Sequence, residues 1–191
     1  LGAGPYGLSA AAHLCPGKGL EVRVLGEPMS FWERYMPAGM HLRSPWSGSH
    51  IAAPGNQLSL NAYRTLNGNR HFADPLPVKD FIRYGHWFLH GAALPLDQRT
   101  VVRVELVPQG YCLTFETGDA LLARRVVVAA GIQPFAFRPE AFQHFPPFLV
   151  THSMKGHAFH HLLGQLLYQT RCRCRLEGET LVISPPDPEP Q

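Results

Sequence analysis

The stretch Gly2-Ala3-Gly4-Pro5-Tyr6-Gly7, followed at once by Leu8-Ser9-Ala10-Ala11-Ala12-His13-Leu14, decides the fold. Glycines at this G-x-G-x-x-G spacing let the chain turn tightly at Gly2 and leave backbone open to a pyrophosphate at Gly4. At Gly7 they allow a helix and a strand to pack closely. Pro5 suits the first turn of a helix, where its missing N–H has no partner to lose. The residues after it are small or good helix formers, and Pro16-Gly17 ends the run because proline cannot continue the hydrogen-bond ladder. Such a helix directs free N–H groups and the positive end of its dipole at the loop. Glu21-Val22-Arg23-Val24-Leu25 then alternates and is β-branched, as a strand requires. Loop, helix and strand in that order are the remainder of a βαβ unit, so the glycines point to nucleotide binding rather than to a plain structural turn.

Working outward, the acidic residue that accepts from an adenosine ribose belongs at the end of the second strand, about 20 residues on. Glu27, one place beyond Gly26, is the candidate, the alternative being an ordinary exposed glutamate. Residues 26–77 are rich in Pro, Gly, Ser, Asn and aromatics, which predicts a loop-rich insertion with one or two short helices, such as 31–35. Residues 77–89 fit a helix, with Pro77 in its first turn and Phe81, Ile82, Tyr84, Trp87 and Phe88 as its apolar positions. Residues 101–107, 111–116 and 121–123 read as a β-meander turning at Pro108-Gln109-Gly110 and Thr117-Gly118-Asp119. The meander feeds Val126-Val127-Val128-Ala129-Ala130, almost continuously apolar, for which a buried strand of a parallel sheet is predicted. Residues 171–175 and 180–184 fit a small hairpin around Glu177-Gly178-Glu179, and the prolines of residues 185–191 predict a frayed tail.

The chain has 191 residues, 45% of them apolar and 16% charged, enough for one domain with a short appendage. Its formal charge of +3 is mild and scattered, without the basic stripe of a nucleic-acid binder. No run approaches the 18 or so apolar residues of a membrane span, and no signal peptide is visible, so the cytoplasm is the expected location. Cys15, Cys112, Cys172 and Cys174 make no disulfide framework, and Cys172 and Cys174 lack the Cys-x-x-Cys spacing of a redox pair. His157 and His161 share a helical face, with His152, His160 and the last two cysteines near in sequence. That spacing matches no zinc signature closely, and no metal is expected.

These residues resemble the flavin-dependent oxidoreductases built on two dinucleotide-binding domains. Within them, the chain is similar to the class B flavoprotein monooxygenases and the N-hydroxylating amine monooxygenases. The glycine loop carries the proline common in the FAD loop, here Pro5. Val126 to Gly131, followed by Pro134, resembles the second FAD motif, with Ala130 where Thr is usual. Phe31-Trp32 resembles the family's Gly-Gly-Thr-Trp region without its glycines, and His152-Ser153 resembles the His-Ser that precedes the NADPH-binding domain. The resemblance covers residues 1–165 and implies an α/β fold: a Rossmann-like FAD-binding domain with a parallel sheet and an inserted β-meander.

It also implies roles. Gly2, Gly4, Pro5, Tyr6 and Gly7 would hold the pyrophosphate of FAD, Val102 would meet adenine through its backbone, and Gly131 would lie on the flavin side. The loop from Met40 to Trp46, Arg43 included, would lie by the isoalloxazine ring. Trp32 and Trp46 are flavin contacts or core packing, and Arg43 is a structural anchor or a contact to phosphate or substrate. No catalytic side chain is assigned, because in such enzymes the flavin carries the chemistry and the protein binds, orients and excludes water. FAD, a small-molecule substrate and NADPH are the family's partners.

Two features depart from the family plan. Only Leu1 of the first βαβ strand precedes the loop, so that strand is expected to be largely missing. Restoring about four to six apolar residues there is expected to raise stability. Residues 166–191 hold no second glycine loop, so the NADPH site is expected to be absent and these residues to be a divergent tail. A fragment inactive by itself is the expectation. The alternatives are a disulfide or ferredoxin-type reductase on the same plan, and a non-catalytic nucleotide-binding remnant.

Overall fold

A computed structural model describes residues 1–15, 19–68, 72–132, 137, 139 and 140, and the backbone of 173–177 and 180–184. The chain divides into two compact units, Leu1–Pro134 and Phe135–Gln191.

The first unit is organised by a short parallel sheet. Helix α1 (Pro5–Leu14) starts at the glycine loop and buries Leu8, Ala11 and Ala12, a narrow stripe of mostly small residues that lets it lie close to its neighbours. Strand β1 (Val24–Leu25) pairs in parallel with β2 (Leu96–Asp97). It is shorter than the alternation of residues 21–25 predicts. The ladder runs out at Pro95, whose carbonyl accepts from the Val24 N–H but which has no N–H to return. Beyond β1, the Gly2 N–H donates to the Leu25 carbonyl at 2.8 Å. The Leu1 nitrogen donates to the Val127 carbonyl, and the Ala129 N–H returns a bond to the Leu1 carbonyl, both at 2.7 Å. Backbone hydrogen bonds thus link 96–97, 24–25, 1–2 and 127–129 in that order, with β1 and β2 as the parallel pair.

One prediction is corrected. Residues 126–130 do not form a buried strand: no ladder is assigned to them, and Val127 and Val128 are 51% and 71% exposed. Their hydrogen bonds to Leu1 bracket a single position, Val128. Apolar sequence alone cannot bury a segment that pairs along so little of its length.

Helix α2 (Ser30–Tyr35) and helix α3 (Leu60–Leu66) lie in the insertion, together with single 3-10 turns at Trp46–Gly48 and Pro54–Asn56. The Ser59 hydroxyl caps α3 by accepting from the Ala62 N–H. Helix α4 (Val78–Gly91) begins directly after Pro77 and buries Phe81, Tyr84, Gly85, Phe88 and Leu89, the 3.6-residue period of its sequence. A strap, Met40 to Leu42, is tied to the start of α4: Leu42 N–H to Leu76 O and Val78 N–H to Met40 O, both 2.8 Å. Tyr84 pins the loop above it, its hydroxyl accepting from the Ile51 N–H at 3.1 Å and donating to the Leu58 carbonyl at 2.8 Å. Burial pushes that hydroxyl up to about 12, the Ile51 hydrogen bond opposing.

The meander is antiparallel, in the order β3 (Val101–Val107), β4 (Gly110–Phe115), β5 (Ala120–Ala123). Leu113 and Phe115 face Leu25 of the sheet to make a second, smaller core. In the second unit, β6 (Arg173–Glu177) and β7 (Thr180–Ser184) pair antiparallel, a hairpin whose first strand lies two residues later than the predicted 171–175 and takes in Glu177. The readings at Pro16-Gly17, Pro134, His152-Ser153, the histidines of 152–161, Cys172 and the tail 185–191 fall outside the described residues.

Candidate functional site

The three glycines of the loop differ in what surrounds them. Gly2 has φ +107°, and a Cβ there would collide with the Ala129 carbonyl oxygen. A Cβ on Gly7 would collide with the Gly2 carbonyl oxygen and meet the Ala129 Cβ at 3.6 Å. Both are places of close approach between loop, helix and the 127–129 segment. Around Gly4 no described residue lies within 4 Å of a Cβ, and its backbone is extended. The middle glycine is thus the one with space in front of it.

That space lies at the N-terminus of a helix whose first amides have no competing partner among the described residues. Gly4 occupies the N-cap position, no side chain caps α1, and its first turn holds no acidic residue. Free N–H groups and the positive helix end favour an anion here. Tyr6, in that first turn, is 86% exposed.

The neighbouring strand end brings Glu27 to the loop. Gly26, at φ +117°, would place a Cβ 3.7 Å from the Ala3 nitrogen, and the Met29 N–H donates to the Ala3 carbonyl at 3.1 Å. Glu27 lies between these two ties, exposed, its carboxylate paired with Arg34 of α2. One strand further on, Asp97 ends β2, and its carbonyl accepts from the Gly26 N–H at 2.9 Å. Asp97 grips Arg99, and the Arg99 guanidinium holds the Asp97 carboxyl down at about 2. Val102 follows at a bulge between Val101 and Arg103, outside the β3–β4 ladder and 60% exposed.

The other predicted residues are placed as follows. Gly131, at φ +72° in open space, follows the 127–129 segment. Trp32 packs edge-on against Phe81 of α4, ring centroids 4.8 Å apart. Trp46 donates to Asn61 at 2.7 Å, with Arg64 over its ring at 5.0 Å. Met40 is half-buried in the strap. Arg43 is exposed, with no hydrogen bond or ion pair among the described residues.

The carboxyl-end edge of the sheet therefore gathers Gly2, Gly4, Gly7, Glu27 and Gly131, with Val102 just past β2. Trp32, Met40 and Arg43 belong to the insertion. Sequence reasoning missed Asp97 and Arg99, although the signal was present: Asp-x-Arg, two residues apart just past a strand, puts opposite charges within reach of each other. Among the described residues no three His, Cys, Asp or Glu side chains gather as metal ligands, and no helix is long and apolar enough to cross a membrane.

No protein-family model matches the chain, and no curated protein matches it. Among solved structures it is similar to a bacillithiol disulfide reductase from Staphylococcus aureus, at 18% identity and a TM-score of 0.49, over 62% of this chain and 33% of that one. It is also similar to a lysine monooxygenase from Nocardia farcinica, again at 18% identity and a TM-score of 0.49, over 63% of this chain and 49% of the other. The chain thus spans between a third and a half of the length of these two structures.

Proposed function

We propose that the chain is the FAD-binding part of a flavin-dependent oxidoreductase, of the NAD(P)H-dependent monooxygenase kind. The observation that carries this reading is the division of labour in the glycine loop. Gly2 and Gly7 are glycine because backbone lies against them, whereas Gly4 opens onto free space at an uncapped helix N-terminus. A pyrophosphate fits that space, chelated by first-turn N–H groups. Glu27 would accept from the adenosine ribose, and Val102, outside the ladder, has backbone to offer adenine. Gly131 would let the chain pass the flavin side, and Met40 and Arg43 would flank the ring from the strap. Bound there, FAD would supply hydride acceptance and oxygen chemistry. The residues of this chain bind it, orient it and shield it. The boundary at residue 165, a small-molecule substrate and NADPH as reductant belong to the same proposal.

The test is an absorption spectrum of the purified chain, with FAD sought in the supernatant after denaturation. A flavin band is expected; a colourless protein that takes up no added FAD would end the proposal. Gly4→Val sharpens it. An open site with extended backbone tolerates the side chain, so the thermal midpoint should stay put while FAD affinity falls at least about tenfold, 1.4 kcal/mol. Gly7→Ala should instead lower the midpoint with or without FAD.

A further inference from the structure

Arg99 is held at two edges and on one face of its guanidinium. Its Nε lies 3.0 and 3.2 Å from the two Asp97 carboxylate oxygens, and Nη2 lies 2.6 Å from Asp97 Oδ2. Nη1 reaches Asp119 Oδ2 at 3.4 Å. The guanidinium carbon sits 3.9 Å from the centroid of Phe115, itself fully buried. Two edges of the plane are thus occupied by carboxylates and one face by an aromatic ring, yet the side chain remains 38% exposed. Among the described residues no second ring lies over the guanidinium.

We propose that the face of Arg99 away from Phe115 is open and is the stacking platform for the adenine ring of the bound nucleotide. The inference rests on the FAD reading above and adds a residue to it. A guanidinium is planar and weakly hydrated, so a flat ring stacks on it readily. Two carboxylates already offset its charge, which makes it a poor phosphate ligand and leaves the flat face as what it has to offer. Its place suits adenine. Asp97, which fixes its plane, ends β2 and is hydrogen-bonded through its carbonyl to Gly26, next to the ribose candidate Glu27. Val102 follows three residues after Arg99. Because its N–H edges are taken by Asp97 and Asp119, Arg99 recognises the size of a ring rather than its hydrogen-bonding edge.

The experiment loads the full chain with FAD and displaces it with ADP, UDP or inorganic pyrophosphate. Wild type should bind ADP most tightly, then UDP, then pyrophosphate; equal displacement by ADP and UDP would overturn the proposal. Arg99→Lys keeps the charge beside Asp97 and loses the plane. In that variant ADP should weaken about two- to thirtyfold relative to pyrophosphate, the range of a cation–π contact. Both ligands are titrated against the same folded fraction, so a loss of folded protein cancels from that ratio. An unchanged ratio in Arg99→Lys sinks the platform while leaving FAD binding intact. A wild-type chain that binds no FAD removes both readings together.

Discussion

On one face of the parallel sheet, α1 and α4 close over a core that runs from Ala3 to Leu94 and includes Leu8, Val24, Met29, Tyr84 and Phe88. On the other, the meander covers the sheet with Leu25, Leu113 and Phe115 as its buried residues among those described. Val24 and Leu25 are adjacent in β1, and the period of two sends one to each core. The helical face is deep and apolar, down to a Gly85 whose Cβ would meet the Met29 sulfur at 2.5 Å. The meander face is thin, and its outer end is fixed by the ion pairs of Arg99 with Asp97 and Asp119. The difference divides the work of the site. On the proposed function, the helical face would fix where α1 points its first turn, and the meander face would offer polar side chains and the bulged backbone at Val102 to the nucleotide.

The largest expected effect separates the two cores directly. Phe88→Ala removes a fully buried ring from the helical face and should cost about 3–5 kcal/mol in urea unfolding. Leu113→Ala is equally buried but sits in a core that can collapse around the gap, so about 2–3 kcal/mol is expected. Trp32, Trp46 and Trp87 all pack against the helical core, so their fluorescence follows that face. Hydrogen exchange of β3–β5 amides follows the other. Equal costs for both truncations, with exchange rising on both faces in each, would mean one cooperative core rather than two.

Tyr84 tests the helical face more finely. Tyr84→Phe keeps the ring and strips the hydroxyl that serves Ile51 and Leu58, leaving buried backbone groups unpaired, at a cost of about 1–3 kcal/mol. The pH dependence has a definite sign. The folded hydroxyl titrates at about 12 against an ordinary 10, so its contribution is complete below pH 10 and is lost as pH rises through 12. The gap between wild-type and Tyr84→Phe urea midpoints should hold steady up to pH 10 and shrink above it. A gap that stays level or widens there would show that the phenolate is accommodated after all.

The division between the faces also explains which parts could be read from the chain. Helix α4 was legible because Phe81, Tyr84 and Phe88 recur at helical spacing and all are buried, so local pattern and tertiary environment agree. The glycine loop was legible for the same reason, since close packing at Gly2 and Gly7 leaves no room for any other residue. Trp32 stayed open between flavin contact and packing, because an aromatic in a long loop carries no period to say which way it faces. The Asp-x-Arg spacing carries the Asp97–Arg99 pair itself, but not the setting of Arg99, because the meander brings Phe115 and Asp119 against it from 16 and 20 residues away. The 126–130 segment was misread because an apolar run reports what a strand tolerates on both sides, not how much of its length finds a partner.

That segment supplies the smallest effect and the sharpest discrimination. Val128 lies between the two hydrogen bonds to Leu1, yet its side chain is 71% exposed. Val128→Ser should therefore change stability by no more than about 0.5 kcal/mol, as at ordinary surface sites. A valine buried from both faces of a parallel sheet would instead lose about 1.5–3 kcal/mol of transfer free energy. The same urea titration that reads Phe88→Ala reads this variant, and hydrogen exchange at Ala129 reports whether its bond to Leu1 survives. A cost above about 1.5 kcal/mol would mean that this face is covered in solution, and the contrast between the two sides of the sheet would then be smaller than the exposure of Val127 and Val128 indicates.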